Sequence, residues 1–341
     1  MRAIGYQQSR SADDPLALVD IELPDPSPQP GDLLVRVEAI AVNPVDAKVR
    51  RRDAPADGSW KVLGWDAAGT VEAIGSAVSG FAPGDRVWYA GALNRPGCNS
   101  ELQLVDARLV ARRPATLTAP SAAALPLTAI TAWELLFDRL RLSQGSDAHR
   151  GEVLLVVGAA GGVGSILVQL ALQLTGQTVV ATASRPESRA WLQELGVQHV
   201  IDHHQPLAPQ LEALGIDAVQ RAVSLTHTDQ HFAQLVEVLA PQGALALIDD
   251  PDPAAINVLA LKRKSLSLHW ELMFTRSLFQ TPDMSSQGQL LARVAELVEA
   301  GRLRSTLQEE LGVISAANLR LAHQRIESHR MIGKLVLADW P

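Results

Sequence analysis

Cysteine is almost absent from this chain: Cys98 stands alone among 341 residues. That excludes an internal disulfide and every zinc site that needs two or more thiolates. A long basic run is also missing, and the formal charge is -7, so the electrostatic footprint of a nucleic-acid binder is not expected. No apolar segment of signal-peptide length follows Met1-Arg2-Ala3-Ile4-Gly5-Tyr6, which points to a cytoplasmic location. What is present is an ordinary globular mix, 47% hydrophobic and 20% charged. A chain of this length suggests about two domains. It can bury a large core without disulfides or a metal.

Charge is absent from one long stretch, between Val153 and Ser184. By length alone it would cross a bilayer. It is interrupted, however, by Gly158, Gly161, Gly162, Gly164 and Gly176. Two short β-branched runs flank a helical period, so the pattern predicts strand, turn, helix, strand.

The N-terminal part reads as short strands separated by turns. Leu33–Ile40, Thr70–Gly75, the turn Phe81–Asp85 leading to Val87-Trp88, and Glu101–Val105 are the clearest. Their spacing predicts a small barrel-like β domain. The character changes near Ala122, where a helix is expected to run through Trp133, Leu136 and Phe137. Strands and helices then alternate from Val153 to Ile248, which implies a parallel sheet with helices on both faces. A last strand, Gly333–Leu337, is expected to rejoin the β domain.

The sharpest signal is Val153–Val157 followed by Gly158-Ala159-Ala160-Gly161-Gly162-Val163-Gly164 and a helix from Ser165. This is the dinucleotide fingerprint with Ala159 in place of its first glycine. Gly161 leaves room for a diphosphate, and Gly164 lets helix and strand pack closely. The amides opening the helix, at Gly162 and Val163, face the phosphates with the helix dipole behind them. A tight turn without a ligand is the competing reading, and the strand before and helix after argue against it. Near the end of the second strand an NAD site carries an acid for the ribose. Here the residues are Ser184 and Arg185, with Arg189 one turn later. An acid would repel a 2′-phosphate, whereas a hydroxyl and a guanidinium hold one. NADP(H) is therefore the expected cofactor.

Four further segments, Val42-Asn43-Pro44-Val45-Asp46, Gly64–Gly69, Gly80–Val87 and Leu125–Trp133, complete the pattern with the Ala159–Gly164 loop. With them the whole chain resembles the medium-chain dehydrogenase/reductase superfamily, and within it the quinone oxidoreductase group and the bacterial proteins called zinc-type alcohol dehydrogenase-like. The resemblance implies an α/β chain in which a GroES-like β-barrel catalytic domain, residues 1–125 and 281–341, is split by a doubly wound Rossmann domain, residues 126–280. It also implies a homodimer joined along the last Rossmann strand.

Zinc-using members place Cys, His and Cys where this chain has Asn43, Trp65 and a position near Leu127. None of these is a good zinc ligand. The lobe between Val87 and Gln103, which holds four cysteines where a structural zinc is bound, has only Cys98. No metal is expected at either site. The resemblance then implies an NADPH-dependent, zinc-independent transfer of hydride to a quinone or an α,β-unsaturated carbonyl. Negative charge develops on the acceptor oxygen and needs a donor in place beforehand. Asn43 and Lys48, in Asn43-Pro44-Val45-Asp46-Ala47-Lys48, are the expected catalytic residues, with Asp46 orienting backbone or Lys48. Trp65 and Asp66 are expected to shape the substrate pocket. Two alternatives remain open at this point. One is zinc-type alcohol dehydrogenase activity with unusual ligands; the other is a nucleotide-binding protein with vestigial catalysis that acts through partners.

Weaker signals have plainer readings. Lys48 has a competing reading as an exposed lysine in a run with Arg50, Arg51 and Arg52. His227 and His231 share a helix face, but Asp229 reads as a helix N-cap and the motif glutamate of a zinc helix is missing. His203-His204 reads as surface loop, Trp270–Phe274 as core or dimer contact, and Cys98 as an ordinary thiol.

Overall fold

The computed structural model describes residues 1–145 and 147–341. The chain divides into two compact units, Met1–Ile130 with Phe274–Pro341, and Thr131–Met273.

The first unit is built on the ten-residue strand Asp32–Ala41, whose residues are mostly buried. It pairs antiparallel with Ala67–Ile74 along its length and with Leu102–Asp106 over its first half. The C-terminal strand Lys334–Ala338 pairs with its other end, Val336 opposite Ala41 and Ala338 opposite Ala39. The chain end therefore does rejoin the β domain. Leu307–Glu310, Arg86–Tyr89 and Val110–Arg112 complete a seven-stranded sheet, and Val19–Glu22, Arg2–Tyr6 and Lys61–Val62 form a small second one.

Register places the polar residues of this unit. Beyond Ala41 the Val42 N–H bonds Leu335 O, and Ala41 N–H bonds Asp66 O. The ends of three strands thus meet at Val42-Asn43. Helix Pro44–Arg52 starts there with proline in its first turn, where no amide is missed. Asn43 is its N-cap, and Asp46 Oδ2 accepts the Asn43 N–H at 2.8 Å. The basic run at its end is not one solvated face. Arg50 is fully buried, donating to Glu327 at 2.5 Å and to Arg10 O at 3.1 Å.

The second unit is a six-stranded parallel sheet. Across it run His199–Ile201, Thr178–Thr182, Val153–Val157, Val219–Ser224, Leu239–Leu247 and Ser267–Trp270. Counted along the chain this is the order 3-2-1-4-5-6 of the dinucleotide-binding fold. Val153–Val157 lies in the middle and is buried throughout, as a strand covered on both faces must be. Leu155, Val157, Val180, Leu245 and Leu247 pack with Phe232 and Leu235. The charge-free stretch from Val153 is strand, helix Gly162–Leu174 and strand, as its pattern predicts. A different segment, Ala119–Arg139, is helical and apolar over a length that would cross a membrane, but 78% of its most apolar window is buried within the protein. Its last six residues, Glu134–Arg139, are wound as a π-helix.

Candidate functional site

In the second unit the loop after Val153–Val157 has the geometry of a phosphate cradle. Gly158 takes φ 77°, a value that favours glycine, and a Cβ there would lie 2.8 Å from Thr226 Cγ2. Ala159 is fully buried. Gly164 is required by packing, since a Cβ there would meet Ala159 O at 2.3 Å. Gly161 is different. A Cβ on it would find only Gly158 O, at 3.6 Å. The protein's own packing does not demand glycine there. Gly161 also opens helix Gly162–Leu174, and no side chain caps it. The first amides, on Gly162, Val163 and Gly164, are thus left to an anion.

Ser184 and Arg185 follow strand Thr178–Thr182, and both are partly exposed; Arg185 is the N-cap of helix Pro186–Glu194. Arg189, one turn on, has its Nη1 committed to Val200 O at 2.8 Å.

Just past the edge strand Ser267–Trp270, at the same carboxyl end of the parallel sheet, lies a buried charge group. Arg139 Nε is 2.7 Å from Glu271 Oε2, and its Nη2 is 3.7 Å from Glu134 Oε2. Burial, together with the neighbouring Glu134, pushes the Glu271 carboxyl up to about 9. Trp270 and Leu272 on either side are about half exposed, whereas Met273 is buried.

In the first unit the N-cap of helix Pro44–Arg52 is the centre of a buried polar cluster. Lys334 Nζ donates to Asn43 Oδ1 at 2.5 Å, to Asp66 Oδ2 at 2.9 Å and to Val42 O at 3.3 Å. Asn43 Nδ2 donates to Asp66 Oδ2 at 3.2 Å, and Leu127 N donates to Asp66 Oδ1 at 3.1 Å. Asn43, Asp46, Asp66 and Lys334 are each at most 3% exposed. Burial pushes the Asp66 carboxyl up, and the Lys334 ammonium and these hydrogen bonds pull it partly back. Burial also lifts Asp46 to about 7. Lys334 carries no local sequence signal; it is 291 residues from Asn43, and only the register of the last strand brings it here.

The candidate residues around this cluster are placed as follows. The Asn43 amide is engaged at both ends, so it holds the cluster together. Lys48 lies one turn on from Pro44 on the same helix and is partly exposed. Trp65 is 1% exposed, donates its indole N–H to Ala92 O at 3.1 Å, and sits edge-on to Phe274 at 6.2 Å. Asp66 is fully buried beside it. Cys98 is buried with its thiol pushed up by burial, and donates to Asp66 O at 3.6 Å.

Two of the minor readings change. The N-cap of helix Thr228–Val238 is His227, in the left-handed region at φ 49°, not Asp229. Asp249 takes the capping bond instead, accepting the Thr228 N–H at 2.9 Å. His203 is not simply surface loop; it is half-buried, with Nδ1 3.2 Å from Thr182 Oγ1.

Two family models match the chain. Residues 29–114 match the alcohol dehydrogenase GroES-like domain family, and residues 195–337 match the zinc-binding dehydrogenase family. A zinc-type alcohol dehydrogenase-like protein of Staphylococcus aureus strain MSSA476 is 38% identical over 344 residues, 99% of each chain. A protein of Rhizobium etli CFN 42, solved under a zinc-dependent alcohol dehydrogenase name, is 52% identical with a TM-score of 0.94, covering 100% of this chain and 98% of that one. The mycobacterial protein Rv1454c, solved in complex with NADPH, is 28% identical with a TM-score of 0.83, covering 99% of this chain and 100% of that one.

The zinc in these names does not fit the residues present. Asn43, Trp65 and Leu127 stand where the resemblance puts ligands. The oxygens of Asn43 and Asp66 are already taken up by a lysine ammonium, and a divalent cation there would be repelled by it. Among the described residues no group of three or more His, Cys, Asp or Glu side chains is arranged to hold a metal ion. With a relative this similar over its whole length and a family match in both parts of its sequence, the chain belongs to the medium-chain dehydrogenase/reductase superfamily of oxidoreductases.

Proposed function

We propose that this protein is an NADP(H)-dependent, zinc-independent reductase of quinones or α,β-unsaturated carbonyls. The observation that carries this reading is the bond from Lys334 Nζ to Asn43 Oδ1, 2.5 Å long. It joins an internal cation to the residue that stands at a zinc-ligand position. Oxidation of an alcohol in the zinc manner needs a Lewis acid to lower the alcohol's pKa. An already polarised acceptor does not; it needs only a donor for the charge that develops on its oxygen.

The cradle of Gly161, Gly162, Val163 and Gly164 fits a diphosphate, and Ser184 and Arg185 fit a 2′-phosphate; Arg189 supports Arg185 from the next turn. Bound NADPH supplies a hydride to the electron-poor carbon of the acceptor. Lys48 offers the cationic donor to the acceptor oxygen. Asn43 acts behind it by fixing the start of the helix that carries Lys48, with Asp46 closing the turn. Trp65 and Asp66 form the rigid floor beneath this helix. Rv1454c, solved with NADPH, supports the cofactor.

The same reading includes a homodimer paired along the edge strand Ser267–Trp270. Trp270 and Leu272, 53% and 51% exposed, support it. A small molecule is the substrate; no nucleic acid and no membrane is a partner in this reading.

The test mixes purified protein with NADPH and a panel of quinones and enals while following nicotinamide absorbance, with metal analysis of the same sample. Turnover without stoichiometric zinc is expected. Tight NADPH binding with no turnover on any acceptor would favour the vestigial alternative. One zinc per chain, lost together with activity on chelation, would restore the zinc-type reading.

A further inference from the structure

Beside the Gly158–Gly164 loop lies a group of imidazoles that the proposed chemistry does not use. Four of the nine histidines of the chain, His203, His204, His227 and His231, come together after the strands His199–Ile201 and Val219–Ser224. The hydroxyl of Thr182 is 3.2 Å from His203 Nδ1 and also accepts the Gly158 N–H at 3.3 Å. One side chain thus links His203 to the first residue of the cradle. The His204 ring stands edge-on to His203 at 4.7 Å, and the His231 ring at 5.7 Å. His227 Nδ1 is 2.7 Å from Thr226 Oγ1, and Thr226 is the residue against which Gly158 packs. His231 is 6% exposed, yet among the described residues its Nδ1 has no hydrogen-bond partner. A buried polar atom left open beside a ligand loop calls for an explanation.

The position of the cluster supplies one. A dinucleotide whose diphosphate lies on the first strand's loop extends its adenosine half across the ends of the next strands. Those ends carry Ser184-Arg185 and His203-His204. Burial and mutual repulsion keep His203 down at about 4 and lower His231. His203 and His231 are therefore neutral at physiological pH. The acids facing it are already occupied. Asp202 accepts the His204 N–H at 2.9 Å and lies 4.0 Å from its ring nitrogen, and Asp249 caps Thr228. Asp229 faces His231 from its own helix, and Arg189, from the helix Pro186–Glu194, is turned to Val200 O. A phosphomonoester is mostly dianionic above about pH 6. Placed among these rings it favours an imidazolium and a charge-assisted hydrogen bond. A ribose hydroxyl gives no such reward.

We propose that the cluster of His203, His204 and His231 takes up a proton from solvent when the 2′-phosphate of NADP(H) binds, so that discrimination against NAD(H) strengthens as pH falls. This rests on the NADP(H) reading of the loop.

Calorimetric titration of the full chain with NADPH and with NADH, at pH 7.5 in buffers of different ionisation enthalpy, reads the proton directly. Uptake is expected with NADPH and none with NADH. Between pH 8.5 and 6.5 the NADPH Kd is expected to tighten by up to about a hundredfold, the tenfold per pH unit that uptake of one whole proton gives, with the NADH Kd flat. His231→Gln and His204→Gln are each expected to reduce the uptake. His204 is largely exposed, so that variant folds even where His231→Gln does not. NADPH binding without proton uptake, or equal uptake with NADH, would overturn the inference and leave the NADP(H) reading standing. Failure of NADPH to bind at all would overturn both.

Discussion

Lys334 Nζ lies 2.9 Å from Asp66 Oδ2, with the lysine side chain 3% and the aspartate 0% exposed. Neither charge has water to stabilise it, so each depends on the other and on Asn43. Removing one partner of such a pair costs roughly 3–5 kcal/mol, because the remaining charge is stranded. Lys334→Met is expected to lose stability on that scale in urea denaturation. Adding Asp66→Asn is expected to restore much of it. A double variant no more stable than Lys334→Met would show that the pair is not the source of the loss.

Asp46 makes stability depend on pH. Burial raises its carboxyl from 3.8 to about 7, so the folded state binds the proton more tightly than the unfolded chain does. The stabilisation is complete below the unfolded value near 4 and is lost as pH rises through about 7. Asp46→Asn keeps an oxygen for the Asn43 N–H and removes the titration. Its Tm relative to the parent is expected to climb from pH 5 to pH 8. Parallel Tm curves would contradict this account of Asp46.

Arg185→Ala is expected to weaken NADPH binding roughly ten- to hundredfold, the value of a charged hydrogen bond. NADH binding is expected to stay nearly unchanged. Equal losses for both nucleotides, measured by fluorescence titration, would remove Arg185 from the 2′-phosphate site.

Lys48→Ala is expected to reduce kcat on the order of a hundredfold, as losing one donor to a developing oxyanion does. Its Tm is expected to match the parent, because the side chain is partly exposed. Unchanged kinetics would return Lys48 to the solvated surface.

The glycines of the cradle are expected to separate packing from binding. Gly164→Ala forces a Cβ to 2.3 Å from Ala159 O and is expected to destabilise the fold by roughly 1–3 kcal/mol. Gly161→Ala meets nothing closer than 3.6 Å, so it is expected to keep its Tm and lose NADPH affinity. The opposite pattern would put the cofactor elsewhere.

The cradle was readable from sequence because its parts are contiguous. A buried β-branched strand, a glycine turn and an apolar helix each impose their own period on neighbouring residues. The same alternation made the parallel sheet readable, while its 3-2-1-4-5-6 order is seen only in the structure. The run Lys48 to Arg52 was not readable as a surface. Helical geometry turns Arg50 inward to Glu327 while Lys48 stays partly exposed, and no local pattern records where helix Ala316–Glu327 lies.

The sequence by itself determined the family, the phosphate loop and the poverty of zinc ligands at Asn43, Trp65 and Leu127, since residue type and short spacing suffice for each. Only the tertiary structure decided that a lysine ammonium stands beside Asn43 and Asp66, and that imidazoles from a loop and a helix gather next to Gly158. Those contacts depend on sheet register, which brings together residues as far apart as Asn43 and Lys334 through backbone hydrogen bonds that are the same for every side chain.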